Sequence, residues 1–248
     1  MKKSNLTQRV LFGLLLILLS ILFYSLHYAI FRDMHHIIIY LIGDIAFVFL
    51  EVLLVTLIIH HILNERAKQA MIKKLNMVIG AFFSEAGTLL LKFFSQFDTE
   101  SETLSKHLIV DSSWSPEHFD QMEVILKKHD YKIDCQTGDL QGLQAFVVEK
   151  RAFLLRLLEN PNLLEHEEFT ELLWAVFHLA EELSYRESVT DLPETDFRHL
   201  SGDIKRAYSL LVREWLAHME HLKNDYPYLF SLAIRTNPFD SNASVEVK

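Results

Sequence analysis

Asp44 and Glu51 stand seven residues apart inside a long apolar run, a spacing that puts both carboxylates on one face of a helix. Acids at bilayer depth can pass a proton or hold a cation, and they can also act as hydrogen-bonded glue between helices. With Tyr40 set to zero and about 100° per residue, Asp44 falls near 40°, Glu51 near 20° and His36 near −40°. The polar groups therefore form one narrow stripe. Ile37 to Ile59 holds 17 Leu, Ile, Val and Phe residues, each worth roughly −0.3 to −0.6 kcal/mol against roughly +2.5 to +3.5 for a central acid. Insertion is marginally favourable with both acids charged and clearly so with one paired or protonated.

A second constellation lies far downstream. Glu171, His178 and Glu182 share one helix face, and Glu214, His218 and His221 share another. Facing helices that carry Glu and His can hold a metal inside a bundle. The di-iron pattern needs Glu-x-x-His on two helices, however, and neither segment has it; solvated surface residues are the simpler reading. No Gly-rich phosphate loop, GxSxG elbow or HExxH occurs. Cys135 is the single cysteine, which excludes an intrachain disulfide, a CxxC pair and a cysteine zinc site. The sequence points to no cofactor and to no catalytic residue.

The elements that position the acids are two apolar helices. The first, residues 10–31, has no charge between Arg9 and Arg32 and is long enough for the roughly 30 Å hydrocarbon core. Its Ser20, Tyr24 and His27 lie within about 60° of one another. An antiparallel hairpin through a short external loop at 32–36 into a second span at 37–62 would set Tyr24 and His27 near Asp44 and leave Glu51 without a side-chain partner in its own hairpin. The first run is too long for a signal-peptide core and has no small-x-small cleavage pattern. Lys2, Lys3 and Arg9 in the 1–9 segment, with Arg66, Lys68, Lys73 and Lys74 after the hairpin, outweigh Arg32 in the loop. By the positive-inside rule both termini face the cytoplasm, the expected location being multi-pass in the inner membrane. His35-His36 and His60-His61 bracket the second span as interfacial anchors.

Residues 63–97 read as a juxtamembrane amphipathic helix. Leu75, Ile79, Phe82, Ala86, Leu90, Phe93 and Phe97 fall on one face, and Gly80, Ser84 and Thr88 form a small-xxx-small row on the other, suited to close helix packing in an oligomer. The segment is expected to pack in a bundle rather than to lie in the interface or span a third time, since Glu85 and Lys92 oppose insertion. Asn64 to Phe97 is basic by about three, whereas everything after Asp98 is acidic by about thirteen. A basic collar followed by an acidic body suits anionic lipid at the inner leaflet and offers no face for nucleic acid.

Residues 98–235 should form the acidic helical bundle. A linker over 98–113 precedes a helix opened by Ser115-Pro116-Glu117. Further helices are expected at 139–159, 165–185, 194–224 and 228–234, with 131–138 a loop or short extended segment and 236–248 a disordered tail. Seven Gly and five Pro in 248 residues are too little punctuation for a many-stranded protein.

These observations predict an all-α membrane protein: a two-span N-terminal transmembrane hairpin followed by a cytoplasmic helical bundle. The expected role is a non-enzymatic, membrane-anchored, homo-oligomeric scaffold or regulator with the lipid bilayer and a cytoplasmic protein as partners. An oligomeric proton or cation pathway lined by Asp44, Glu51, Tyr40, Tyr24 and His27 is the alternative, and a metal-dependent enzyme in the bundle a distant third.

Overall fold

The computed structural model describes residues 2–161, 163 and 166–246, with the side chains of 2–7 and 9 outside that description. The basic groups of Lys2, Lys3 and Arg9, the helix start expected at Glu165 and the tail end at Val247 and Lys248 lie outside the described residues. The described residues are helical throughout, with no strand among them. The chain divides into two compact units, Met1–Lys68 and Gln69–Lys248.

In the first unit, helix α1 covers Lys2–Phe31 and helix α2 opens at Met34, running on to Phe82. Arg32 turns the chain with φ 55, a left-handed position, and its N–H bonds to the Tyr28 carbonyl at 2.9 Å. The Asp33 carboxylate then accepts the His36 N–H at 3.1 Å, satisfying a free donor at the α2 start. Leu, Ile, Val and Phe side chains from Val10 to Phe31 and from Ile38 to Leu63 are exposed.

The second unit begins at Gln69, still within α2. A π-helical turn, Phe83–Gly87, follows, and α3 covers Thr88–Phe97. The π turn carries one residue more per turn than α-helix, so the buried face moves forward. Leu75, Ile79, Phe82, Ala86 and Leu90 are buried as periodicity predicts, but beyond the turn Leu91 and Phe94 are fully buried and Phe93 only partly. Thr88 holds the turn, its N–H and its Oγ1 (2.9 Å) both donating to the Phe83 carbonyl.

The remaining helices are α4 (Ser101–His107), α5 (Pro116–Lys128), α6 (Leu140–Leu158), α7 (Glu167–Ser184), α8 (Glu194–Asp225) and α9 (Pro227–Arg235). Helix α4 lies in the expected linker. Three starts are capped locally: Ser115 with Pro116 opens α5, the Asp139 carboxylate accepts the Gly142 N–H at 2.8 Å, and the His166 Nδ1 accepts the Phe169 N–H at 3.2 Å. Helix α8 is the hub, packing on α3, α5, α7, α9 and the π turn. Its Leu200, Ile204, Ala207, Tyr208, Leu211, Trp215, Met219 and Leu222 are buried at spacings of three and four. The segment after α5 makes a single bridge, Ile133 to Asp98, closed by bonds from Asp134 N–H to Phe97 O (2.9 Å) and Thr99 N–H to Lys132 O (3.0 Å).

The chain after α9 is not a free tail at its beginning. Asn237 is buried and donates its side-chain amide to the Leu108 carbonyl at 2.8 Å, while Phe239 packs edge-on against Trp215 at 4.9 Å.

A cavity walled by the π turn

A cavity of about 630 Å³ lies between the end of α2, the π turn, α8 and α9. One wall is Asn76, Met77, Gly80, Phe83, Ser84 and Thr88, which includes the small-residue row Gly80, Ser84 and Thr88. Gly80 faces α8 of its own chain, where a Cβ would lie 3.6 Å from the His218 Cε1. The opposite wall is Trp215, His218, Met219 and Leu222 of α8, and α9 closes the side with Leu229, Leu232 and Ala233. Small side chains on one wall and large ones on the other leave the space open.

Several polar groups reach this apolar chamber. The His218 ring stacks on Phe83 at 4.9 Å, and its Nδ1 is buried without a hydrogen-bond partner. Burial, followed by the neighbouring His221, lowers its pKa to about 4, so His218 is neutral at pH 7. His221 Nδ1 lies 2.8 Å from Asp225 Oδ2 and 3.2 Å from the Asn76 side-chain nitrogen. Ser84 and Thr88 add hydroxyls from the π turn, a geometry that often marks functional sites. The cavity's volume, its mostly apolar lining and its few convergent polar groups fall within the range of small-molecule pockets.

The six residues weighed as a metal centre do not converge. Across the α7–α8 hairpin, His178 meets Asp203 (3.7 Å) and Glu182 meets His199 (3.7 Å), while at the other end His166 meets Glu214 (3.8 Å). His218 and His221 turn toward α2, and Glu171 is exposed. The turn at 185–193 fixes which residues face each other, and it sets His178 and Glu182 of α7 beside the first turns of α8, not beside Glu214 to His221. Among the described residues no three His, Cys, Asp or Glu side chains are placed to hold a metal ion. The His178–Glu182–His199–Asp203 group already contains its cation: Arg186 reaches Glu182 at 2.8 Å and Asp196 through two bonds of 2.7 and 2.9 Å. The hydrogen bonds from Arg186 hold both carboxyls below the usual range.

Glu214, which its spacing grouped with His218 and His221, is a buried acid. It is 4% exposed, and burial together with the Glu168 charge pushes its pKa up to about 7 against a smaller opposing effect of Arg213.

In the first unit Asp44 and Glu51 are exposed and make no hydrogen bond or ion pair among the described residues. Of the partners expected for Asp44, His27 is engaged near the turn, its ring stacked on His36 at 5.8 Å and tilted against Phe31 at 4.8 Å, while Tyr40 meets His36 edge-on at 4.6 Å. Extending that pairing outward sets Asp44 level with about Leu19 rather than Tyr24, because each step from the turn along α2 is matched by one along α1. Tyr24 is exposed.

The chain is similar over nearly its whole length to a curated archaeal protein. "Uncharacterized protein MJ1433" of Methanocaldococcus jannaschii is 44% identical over 236 residues, 95% of each chain. No solved structure matches. Two family models match: "MJ1433, N-terminal helical domain" over residues 2–63 and "Uncharacterized protein MJ1433, C-terminal helical domain" over residues 71–235. By both measures the chain belongs to the MJ1433 family, an N-terminal helical domain joined to a C-terminal one.

Proposed function

We propose that this protein is a membrane-anchored, non-enzymatic binding protein, a scaffold or regulator whose helical body takes up an apolar small molecule. The cavity of about 630 Å³ carries the reading, since it combines ligand-sized apolar volume with a few buried polar groups. The membrane anchor is supported by Val10–Phe31 and the apolar first part of α2, each long enough to span and carrying exposed apolar side chains along its length. The proposed topology has both termini in the cytoplasm, resting on the excess of Lys and Arg outside the short loop. Homo-oligomerisation is supported by Asp44 and Glu51, which find no partner among the described residues.

The test uses the full chain in lipid nanodiscs, with Trp114 and Trp174 changed to Phe so that Trp215 on the cavity wall reports alone. The methyl ester of 9,10-dibromostearic acid should quench Trp215 saturably at one per chain, and Ser84→Leu, which fills the mouth, should abolish saturation. Linear quenching that Ser84→Leu leaves unchanged would refute ligand uptake. The unpartnered acids favour one second reading, an assembled proton or cation pathway. That reading requires flux in liposomes that Glu51→Gln abolishes; absence of flux removes it.

A further inference from the structure

The cavity has a polar extension. A recess of about 300 Å³ lined by Gln69, Ile72, Lys73, Asn76, His221, Asp225 and Tyr226 adjoins it, and Asn76, His221 and Tyr226 belong to both linings. The two spaces therefore form one amphipathic site, an apolar chamber opening at one end onto hydrogen-bonding groups. Its charges are unevenly engaged. Asp225 is held on the His221 Nδ1 at 2.8 Å, whereas Lys73 is exposed with no hydrogen bond or ion pair among the described residues. A free ammonium and an amide at the mouth of an apolar chamber match an anionic head on an alkyl chain.

We propose that the site binds a single-chain amphiphile with an acidic head, of the fatty-acid class, its chain in the chamber against Trp215 and its carboxylate at Lys73, Asn76 and His221. This rests on the ligand-binding reading above and adds the head-group chemistry. The chamber's volume lies within the range for one drug-sized molecule, which limits the ligand to one chain.

The Trp215 nanodisc assay separates the two claims. With 9,10-dibromostearic acid as probe, stearic acid should displace it about tenfold more effectively than octadecanol or octadecylamine, the difference expected for one charge-assisted contact. Lys73→Gln should remove that preference, and Lys73→Glu should reverse it in favour of the amine. Both variants lie at an exposed position and leave the fold unaltered. Equal displacement by acid, alcohol and amine, or a preference that survives Lys73→Glu, overturns the acidic-head proposal while leaving uptake of an alkyl chain standing. No saturable quenching by any of the probes overturns both.

Discussion

Replacing Glu214 by Gln should make the protein more stable at alkaline pH while leaving its stability at low pH little changed. Glu214 is 4% exposed and its carboxyl titrates near 7 in the folded chain, against an ordinary value of 4.5. A raised folded pKa means the native state holds the proton more tightly than the unfolded chain. The stability it contributes is complete below about 4.5, declines as the pH rises, and is exhausted above about 7. The full span corresponds to about 3 kcal/mol at 1.36 kcal/mol per pKa unit, and the part between pH 5 and pH 8 to about 2.5 kcal/mol. Gln keeps the shape and cannot ionise. Urea unfolding of the full chain, followed by Trp215 emission at pH 5, 6, 7 and 8, should show the variant overtaking the parent by about 2.5 kcal/mol between the extremes. A difference that stays flat with pH would refute the reasoning. It would mean that His166, 3.8 Å from the Glu214 carboxylate, already carries the neutralising charge.

Two glycines one helix face apart should respond to alanine with opposite signs in the same urea titration. At Gly87 a Cβ would come within 2.7 Å of the Phe83 ring and 2.8 Å of Phe82, both buried, so Gly87→Ala should cost about 1–3 kcal/mol; a neutral result would mean the π turn relaxes to α-helix. At Gly80 the nearest atom is His218 Cε1 at 3.6 Å, so Gly80→Ala should stabilise by roughly 0.5–1 kcal/mol through helix propensity, and a loss would place α2 closer to α8 than the structure does. Tyr208 is wholly buried and its hydroxyl has no hydrogen-bond partner. Tyr208→Phe should therefore be neutral or stabilising by up to about 1 kcal/mol; a loss of that size would reveal a bridging water to the hydroxyl.

Periodicity and local chemistry were readable without the fold. The buried row Leu75, Ile79, Phe82 and Ala86, the Ser115-Pro116 helix start and the α8 face from Leu200 to Leu222 follow from which residues repeat at three and four and from caps that act within one turn. Such signals are legible because their causes lie a few residues apart. The tertiary structure decided what depends on distant segments. It fixed the hairpin registers, which bring His178 to Asp203 and His27 to His36, since a turn and the packing beyond it set register and spacing within one helix does not. It also placed the π turn, whose extra residue shifts the buried face from Phe93 to Phe94 and is held by Thr88 and the ring contacts at Gly87. The small-residue row shows both contributions. Gly80, Ser84 and Thr88 announce a close approach in the sequence alone, but only the path of α8 and α9 makes that row part of the wall of a cavity.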